Sequence, residues 1–170
     1  MAFTSHDWQT GEVIDAAKLN NINAALTRAA SGVQAHYTSG TQSIQATTEF
    51  LIYLDALRYV TGTGFELAAN GILCKLDGWV IASARLYCAS GFDAGDQVVL
   101  ALDKNSSAIE TVYHRMQGAG GEHIVTESVL VPVAAGDVLK FKCQNVTGAR
   151  GVIGSTSVAL ANSLTAHYLA

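Results

Sequence analysis

Five histidines, three cysteines and a pair of aspartates are the residues of this 170-residue chain best suited to chemistry, and their spacing decides what chemistry is available. His6, His36, His114, His123 and His167 are scattered, with no H-x-H, H-E-x-x-H or C-x-x-C beside them, so the sequence forms no zinc-ligand cluster. Asp93 and Asp96 flank Gly95 and offer carboxylate oxygens. Two carboxylates fall short of the roughly six to eight ligands that Ca²⁺ takes, so the pair is read as turn-forming. Gly118-Ala119-Gly120-Gly121 is glycine-rich but lacks the dinucleotide fingerprint and precedes no helical pattern, so it reads as a hairpin tip. No Gly-x-Ser-x-Gly elbow occurs, and nothing singles out a carboxylate pair for glycoside hydrolysis. The expectation is a protein that is not an enzyme and carries no cofactor or metal.

Cys74, Cys88 and Cys143 are widely spaced in strand-like apolar surroundings, the pattern of buried reduced thiols rather than of a disulfide framework. Spacing alone leaves a Cys74 to Cys88 bridge open. Asn105-Ser106-Ser107 and Asn145-Val146-Thr147 fit the N-glycosylation pattern. The first 30 residues carry Asp7, Glu12 and Asp15 with no continuous apolar stretch, so no secretory signal is expected and both tripeptides read as loop polar groups. The net charge of −4, without a Lys/Arg cluster, argues against nucleic acid as a partner. The most apolar region, 71 to 88, is interrupted by Lys75, Asp77 and Arg85, so no membrane insertion is expected.

These residues have to be positioned by one well-filled core. Apolar residues make up 49% of the chain, and a domain of about 150 residues buries roughly 68–70% of its unfolded surface. Only 14% of residues are charged, against about 25% in an average domain, which suits a β protein with buried contact surfaces. Leu19, Ile22, Leu26, Ala29 and Val33 recur at steps of three and four, one stripe of a helix that Asp15 can cap and Gly32 can end. About 15 residues of helix are marginal alone, so the stripe needs a partner, either its own domain or further copies. The polar segment 34 to 42 reads as a connection. Strand patterns follow at 43 to 54, 63 to 68, 71 to 76, 79 to 88, 97 to 103, 107 to 116, 122 to 131, 137 to 144 and 157 to 169. Ala94-Gly95-Asp96 and Ala135-Gly136-Asp137 read as matching turns that lead into strands.

Two resemblances give this pattern a meaning. Residues 7 to 26, DWQTGEVIDAAKLNNINAAL, resemble a segment near the start of tail-fibre, baseplate and other adhesion proteins of bacteriophages. That resemblance implies an attachment unit over 1–35, with Trp8, Val13, Ile14, Leu19, Ile22 and Leu26 in assembly, anchored to other virion proteins. Residues 58 to 170 resemble the jelly roll of tumour necrosis factor and complement globular heads. The matching landmarks are Gly64-Phe65-Glu66-Leu67, Gly78-Trp79-Val80-Ile81-Ala82-Ser83, Val133 to Leu139 and Ser163 to Leu169. It implies a mainly β, antiparallel jelly-roll sandwich over 36–170, preceded by a short helix and assembled as a homotrimer. Its terminal strand would lie inside the trimer through Leu164, Ala166 and Tyr168.

The expected function is that of a bacteriophage fibre located in the virion, binding a host-surface glycan or protein. Phe92, Asp93, Asp96, Asn105, Asn145 and Arg150 are the candidate receptor-binding residues, as polar and aromatic groups in loops. The alternative is a structural head-fibre, collar or decoration protein without specific receptor binding.

Overall fold

The computed structural model describes residues 16–38, 40–45, 48–147, 150–155 and 162–169. One helix, α1 (Ala16–Ala29), precedes two antiparallel sheets. The eight-stranded sheet runs in the order β2 (Thr41–Gln45), β13 (Arg150–Gly154), β7 (Gly78–Ser90), β14 (Ser163–Tyr168), β1 (Gly32–His36), β4 (Ala56–Thr61). Strands β10 (Glu122–Val125) and β11 (Val129–Val133) pair with the other edge of β7. In the six-stranded sheet the order is β5 (Phe65–Ala68), β6 (Gly71–Cys74), β12 (Val138–Asn145), β8 (Gln97–Lys104), β9 (Ser107–Arg115), with β3 (Phe50–Leu51) on β12. This is the antiparallel jelly-roll sandwich with one N-terminal helix that the resemblance implies.

Alternation builds the core between the sheets. On β12, Leu139, Phe141, Cys143 and Asn145 point inward while Lys140, Lys142 and Gln144 point out. On β7, Val80, Ala82, Ala84, Leu86 and Cys88 face them from the other sheet. All three cysteines are free and buried. Burial pushes the thiol of Cys74 up to about 11 and that of Cys88 up to about 12, and raises that of Cys143.

The two matching turns are built alike. Gly95 and Gly136 have φ of 96° and 100°, and each following aspartate accepts the amide N–H three residues back: Asp93 N–H to Asp96 Oδ2 at 3.0 Å, Ala134 N–H to Asp137 Oδ2 at 2.9 Å.

Several expected boundaries move. The segment 34 to 42 is not wholly a connection, because Gly32–His36 forms β1, hydrogen-bonded to β14 on one side and β4 on the other. The division after residue 35 therefore falls inside a strand. Val33, placed on the helical stripe, is instead a core residue of β1. Gly32 follows the helix for another reason: a Cβ there would collide with the His167 ring. The run 43 to 54 divides into β2 and β3, and 122 to 131 into β10 and β11. At the second break residues 126–128 stand opposite 83 and 84, a one-residue bulge in which Thr126 donates its N–H to Ala84 O and accepts the Ala84 N–H on Oγ1. Strands β4 and β13 arise where none was expected.

Candidate functional site

Two surfaces remain as candidates, the loops at the far end of the sandwich and the outer face of the larger sheet. The chain enters at the near end. Helix α1 closes with Ala30 N–H on Leu26 O and Ser31 N–H on Arg28 O. Ser31 then joins helix to sandwich: its hydroxyl donates to Thr27 O at 2.6 Å and accepts Gly64 N–H at 3.0 Å, and its carbonyl accepts Tyr168 N–H at 3.1 Å. No side chain of α1 is buried, and Leu26 and Leu19 are 62% and 49% exposed, with Ile22 half-buried. Trp8, Val13, Ile14 and Asp15, the last read from the sequence as a cap, lie outside the described residues.

The far end is a cross-linked set of loops. Gly95 N–H donates to Met116 O and Met116 N–H to Asp96 O, both at 2.8 Å, while Gln97 N–H donates to Thr147 Oγ1 at 2.7 Å. The glycine-rich segment 118–121 is not the expected hairpin tip but a crossover between the sheets, since β9 pairs with β8 and β10 with β7; Glu122 pins it, accepting Gln117 N–H and Gly118 N–H on Oε1 and pairing with His114 Nε2 at 2.8 Å through Oε2. The His114 hydrogen bond is the main cause holding the Glu122 carboxyl below the usual glutamate range.

This packing corrects most of the expected receptor set. Phe92 is 1% exposed, its ring lying against Gly151 where a Cβ would collide with it. Asn145 is fully buried and donates to Asp96 Oδ2 at 3.3 Å, and Asp96 is itself buried. These three build the loops instead of facing outward. Asn105 belongs to the opposite end, because β8 runs the full height from Asp96 and eight residues of strand put about 30 Å between them. There its side chain donates to Asp137 Oδ1 at 2.6 Å and accepts Val138 N–H. Asp93 is exposed at the far end, joined by Arg115, Gln117 and Thr147, which the sequence reading did not single out. Arg150 begins β13, opposite Gln45.

The terminal strand β14 is central in its sheet, between β7 and β1. Leu164, Ala166 and Tyr168 point into the core of their own chain. Tyr168 stacks on Phe65 with centroids 4.6 Å apart and donates its hydroxyl to Leu76 O at 2.7 Å. These residues therefore cannot meet another copy without unpacking the core. Thr165 and His167 are the residues of this strand on the outer face, in register with Ser83 and Ile81 of β7 and with Gln34 and Gly32 of β1.

That outer face is apolar toward the helix end. Trp79 (51% exposed), Ile81, Leu130 and Leu169 lie exposed there, with Leu130 opposite Ile81 and Pro132 opposite Trp79 across β11 and β7. Tyr59 stands at its β4 margin, opposite Gln34 and under the Arg58 guanidinium. The signal for this face was present in β7, where residues of both parities near its start are apolar, so both faces require a cover. Among the described residues no three of His, Cys, Asp and Glu come together to hold a metal. No described helix is long and apolar enough to cross a membrane.

No protein-family model matches the chain, and no curated protein matches it. Solved structures do. The chain is similar to the PRD1 vertex protein P5 at 20% identity and TM-score 0.62, over 84% of this chain and 99% of that one. It is similar to murine APRIL at 10% identity and TM-score 0.58, over 81% and 98%. A third likeness is to the Eiger TNF of S. frugiperda, at 12% identity and TM-score 0.55, over 83% and 94%. These likenesses show a TNF-like jelly-roll fold.

Proposed function

We propose that this chain is a trimeric spike or fibre of a bacteriophage virion, attached by its N-terminal segment and presenting the far-end loops to a host-surface saccharide or protein. The observation that carries the proposal is the outer face of the larger sheet. Trp79, Ile81, Leu130 and Leu169 form an apolar area at the end where α1 leaves with its own leucine stripe bare. A contiguous exposed apolar area of this kind marks a protein contact. The similarity to a vertex protein over 84% of this chain and 99% of that one supports a place in a particle. The role follows from assembly and contact instead of catalysis.

Three copies joined by the sheet face and the helices would align three sets of far-end loops, raising the effective concentration of weak single sites. Asp93, Arg115, Gln117 and Thr147 are the side chains such a surface would use. A second reading, a structural or decoration protein without receptor binding, is favoured by the structural employment of Phe92, Asp96 and Asn145.

Light scattering tests the assembly. A particle three times the 17.8 kDa chain is expected at micromolar concentration, and a monomer overturns the proposal. Glycan-array and whole-cell binding with the same sample separate the two readings: binding supports the receptor role and its absence from both screens supports the structural one.

A further inference from the structure

The smaller sheet answers most of its outward charge within itself. Lys75, Lys104 and Lys142 each meet a carboxylate, and Lys140 stands opposite Asp103. Arg115, at the far end of β9, makes no ion pair among the described residues. It is exposed, and its guanidinium lies over the turn of Asp93 to Asp96, with Nη2 3.6 Å from the place of a Cβ on Gly95. Two residues back on the same strand, Tyr113 is 69% exposed. Val98 and Leu100 of β8 and Val112 of β9 turn inward, so Gln97, Val99, Tyr113 and Arg115 share the outer face. They form a block of two cross-strand pairs, Val99 with Tyr113 and Gln97 with Arg115. Gln144 of β12 continues the first row beyond Val99. Strand β9 ends its sheet, so no described strand of that sheet stands beyond the ring.

We infer that this block is a shelf for a pyranose that carries a carboxylate, with Tyr113 stacked under the sugar ring and Arg115 paired with the acid. The inference rests on the receptor reading proposed above and deepens it. It names the ligand class and moves the centre of the site from the loop tips onto the end of β8 and β9.

A pyranose has a face of C–H groups and a rim of hydroxyls, so it calls for an apolar plate with planar hydrogen-bonding groups beside it. Tyr113 supplies a plate with a polar tip, widened by Val99 across the pair. Gln97 offers an amide that both donates to and accepts from hydroxyls. Arg115 offers a planar fork that matches a carboxylate with two parallel hydrogen bonds. Residues two apart on one strand are separated by about 6.8 Å, so a ring seated on Tyr113 brings an exocyclic carboxylate to Arg115. Asp93, exposed in the same turn, is a hydroxyl acceptor for the rest of a longer saccharide. A protein partner would call for a contiguous apolar area, which the larger sheet has and this block lacks.

The shelf is held in place before any ligand arrives. Gly95 N–H on Met116 O and Met116 N–H on Asp96 O fasten the end of β9 to the turn, and Gln97 N–H on Thr147 Oγ1 fastens β8. Little ordering then opposes a weak ligand, and several copies in one particle multiply weak sites. The block also lies on the sheet that the proposed contact between copies leaves open.

The test is an array of immobilised oligosaccharides ending in uronic or sialic acids, set beside the same oligosaccharides with the carboxyl reduced to an alcohol, probed with the full chain alongside whole-cell binding. Wild type should bind the acid-terminated forms at least about tenfold better than the reduced ones. Arg115→Gln should remove that preference. Tyr113→Ala should weaken binding to both forms at least about fivefold, while Tyr113→Phe, which keeps the ring, should bind as wild type does. Both residues are exposed, and circular dichroism checks that each variant is folded; the preference of wild type itself needs no variant. A wild type that binds both forms alike or prefers the reduced ones overturns the inference, as do folded Arg115→Gln and Tyr113→Ala variants that bind as wild type does. Cell binding without array binding also overturns it, and in each of these cases the receptor reading stands. Absence of binding in both assays overturns the inference and the receptor reading together.

Discussion

The outer faces of the two sheets differ in how their charges are arranged. On the smaller sheet and its turns, Lys142 bridges Glu49 at 3.1 Å and Asp103 at 3.4 Å, Lys75 meets Glu66 at 3.3 Å, and Lys104 meets Asp137 at 3.7 Å. The larger sheet puts Trp79, Ile81, Leu130 and three histidines outward, and its strands contain one acid. Both sheets bury their inner faces by the same alternation. The difference therefore teaches something about surroundings: mixed charge on the smaller sheet suits water, whereas the apolar outer face of the larger sheet is what the proposed contact between copies would cover.

The contrast breaks most sharply if a charge on either face has the same effect. Ile81→Asp on the larger sheet should reduce the proposed trimer to monomer, weakening association by at least about 100-fold, since an unpaired buried charge costs several kcal/mol. Tyr113→Asp, at an equally outward position of β9 on the smaller sheet, should leave association unchanged. Light scattering across a dilution series reads both.

A smaller effect is expected within the ion pairs. Burial raises the Asp103 carboxyl above the ordinary aspartate range, and Lys142 draws it back. Lys142→Met should cost about 1–3 kcal/mol in urea unfolding at pH 7, because a buried carboxylate loses its cation. Adding Asp103→Asn should restore most of that loss. A raised carboxyl contributes stability that is present below its unfolded value and lost as pH rises through its folded one. The Lys142→Met penalty should accordingly shrink as pH falls toward 4. A penalty independent of pH and of Asp103 would mean that the pairs of this face are incidental.

The smallest effect lies where the sheets meet, at Glu122 of β10 and His114 of β9. Glu122→Gln should lower stability by a few tenths of a kcal/mol, as partly exposed pairs do. The Glu122 carboxyl is held low, so its contribution is present above the ordinary glutamate range and disappears as pH falls through it. Thermal melts between pH 6 and 3 should show wild type and variant converging at the acid end. Persistent divergence would assign the difference to the geometry of the crossover loop instead of charge.

Most of the architecture was legible because it rests on local chemistry. The Gly-Asp turns at 95 and 136, the long alternating runs of β7, β8, β9 and β12, and the helix through Leu19, Ile22 and Leu26 all announce themselves within a few residues. What escaped depends on distant neighbours. Leu164, Ala166 and Tyr168 signal a strand, but which parity of β14 faces the core is decided by β7 and β1 beside it. Phe92 looks like an exposed loop aromatic until Gly151 makes room for its ring. Asn105 and Asp93 look like members of one loop set until β8 separates them by its full length. Strand β4 was missed because its exposed arginine, tyrosine and threonine carry no alternating apolar signal.

The pairing of β1 on both sides also sets how the molecule bears a mechanical load. A pull on α1 passes through Ser31 into β1, whose bonds to β14 and β4 lie across the strand. If the far end is held, β1 must slide, and both flanking ladders are strained together in shear instead of opening one bond at a time. Resistance to such a pull is a matter of unfolding rate, so this short strand acts as the rivet between the helix and the sandwich.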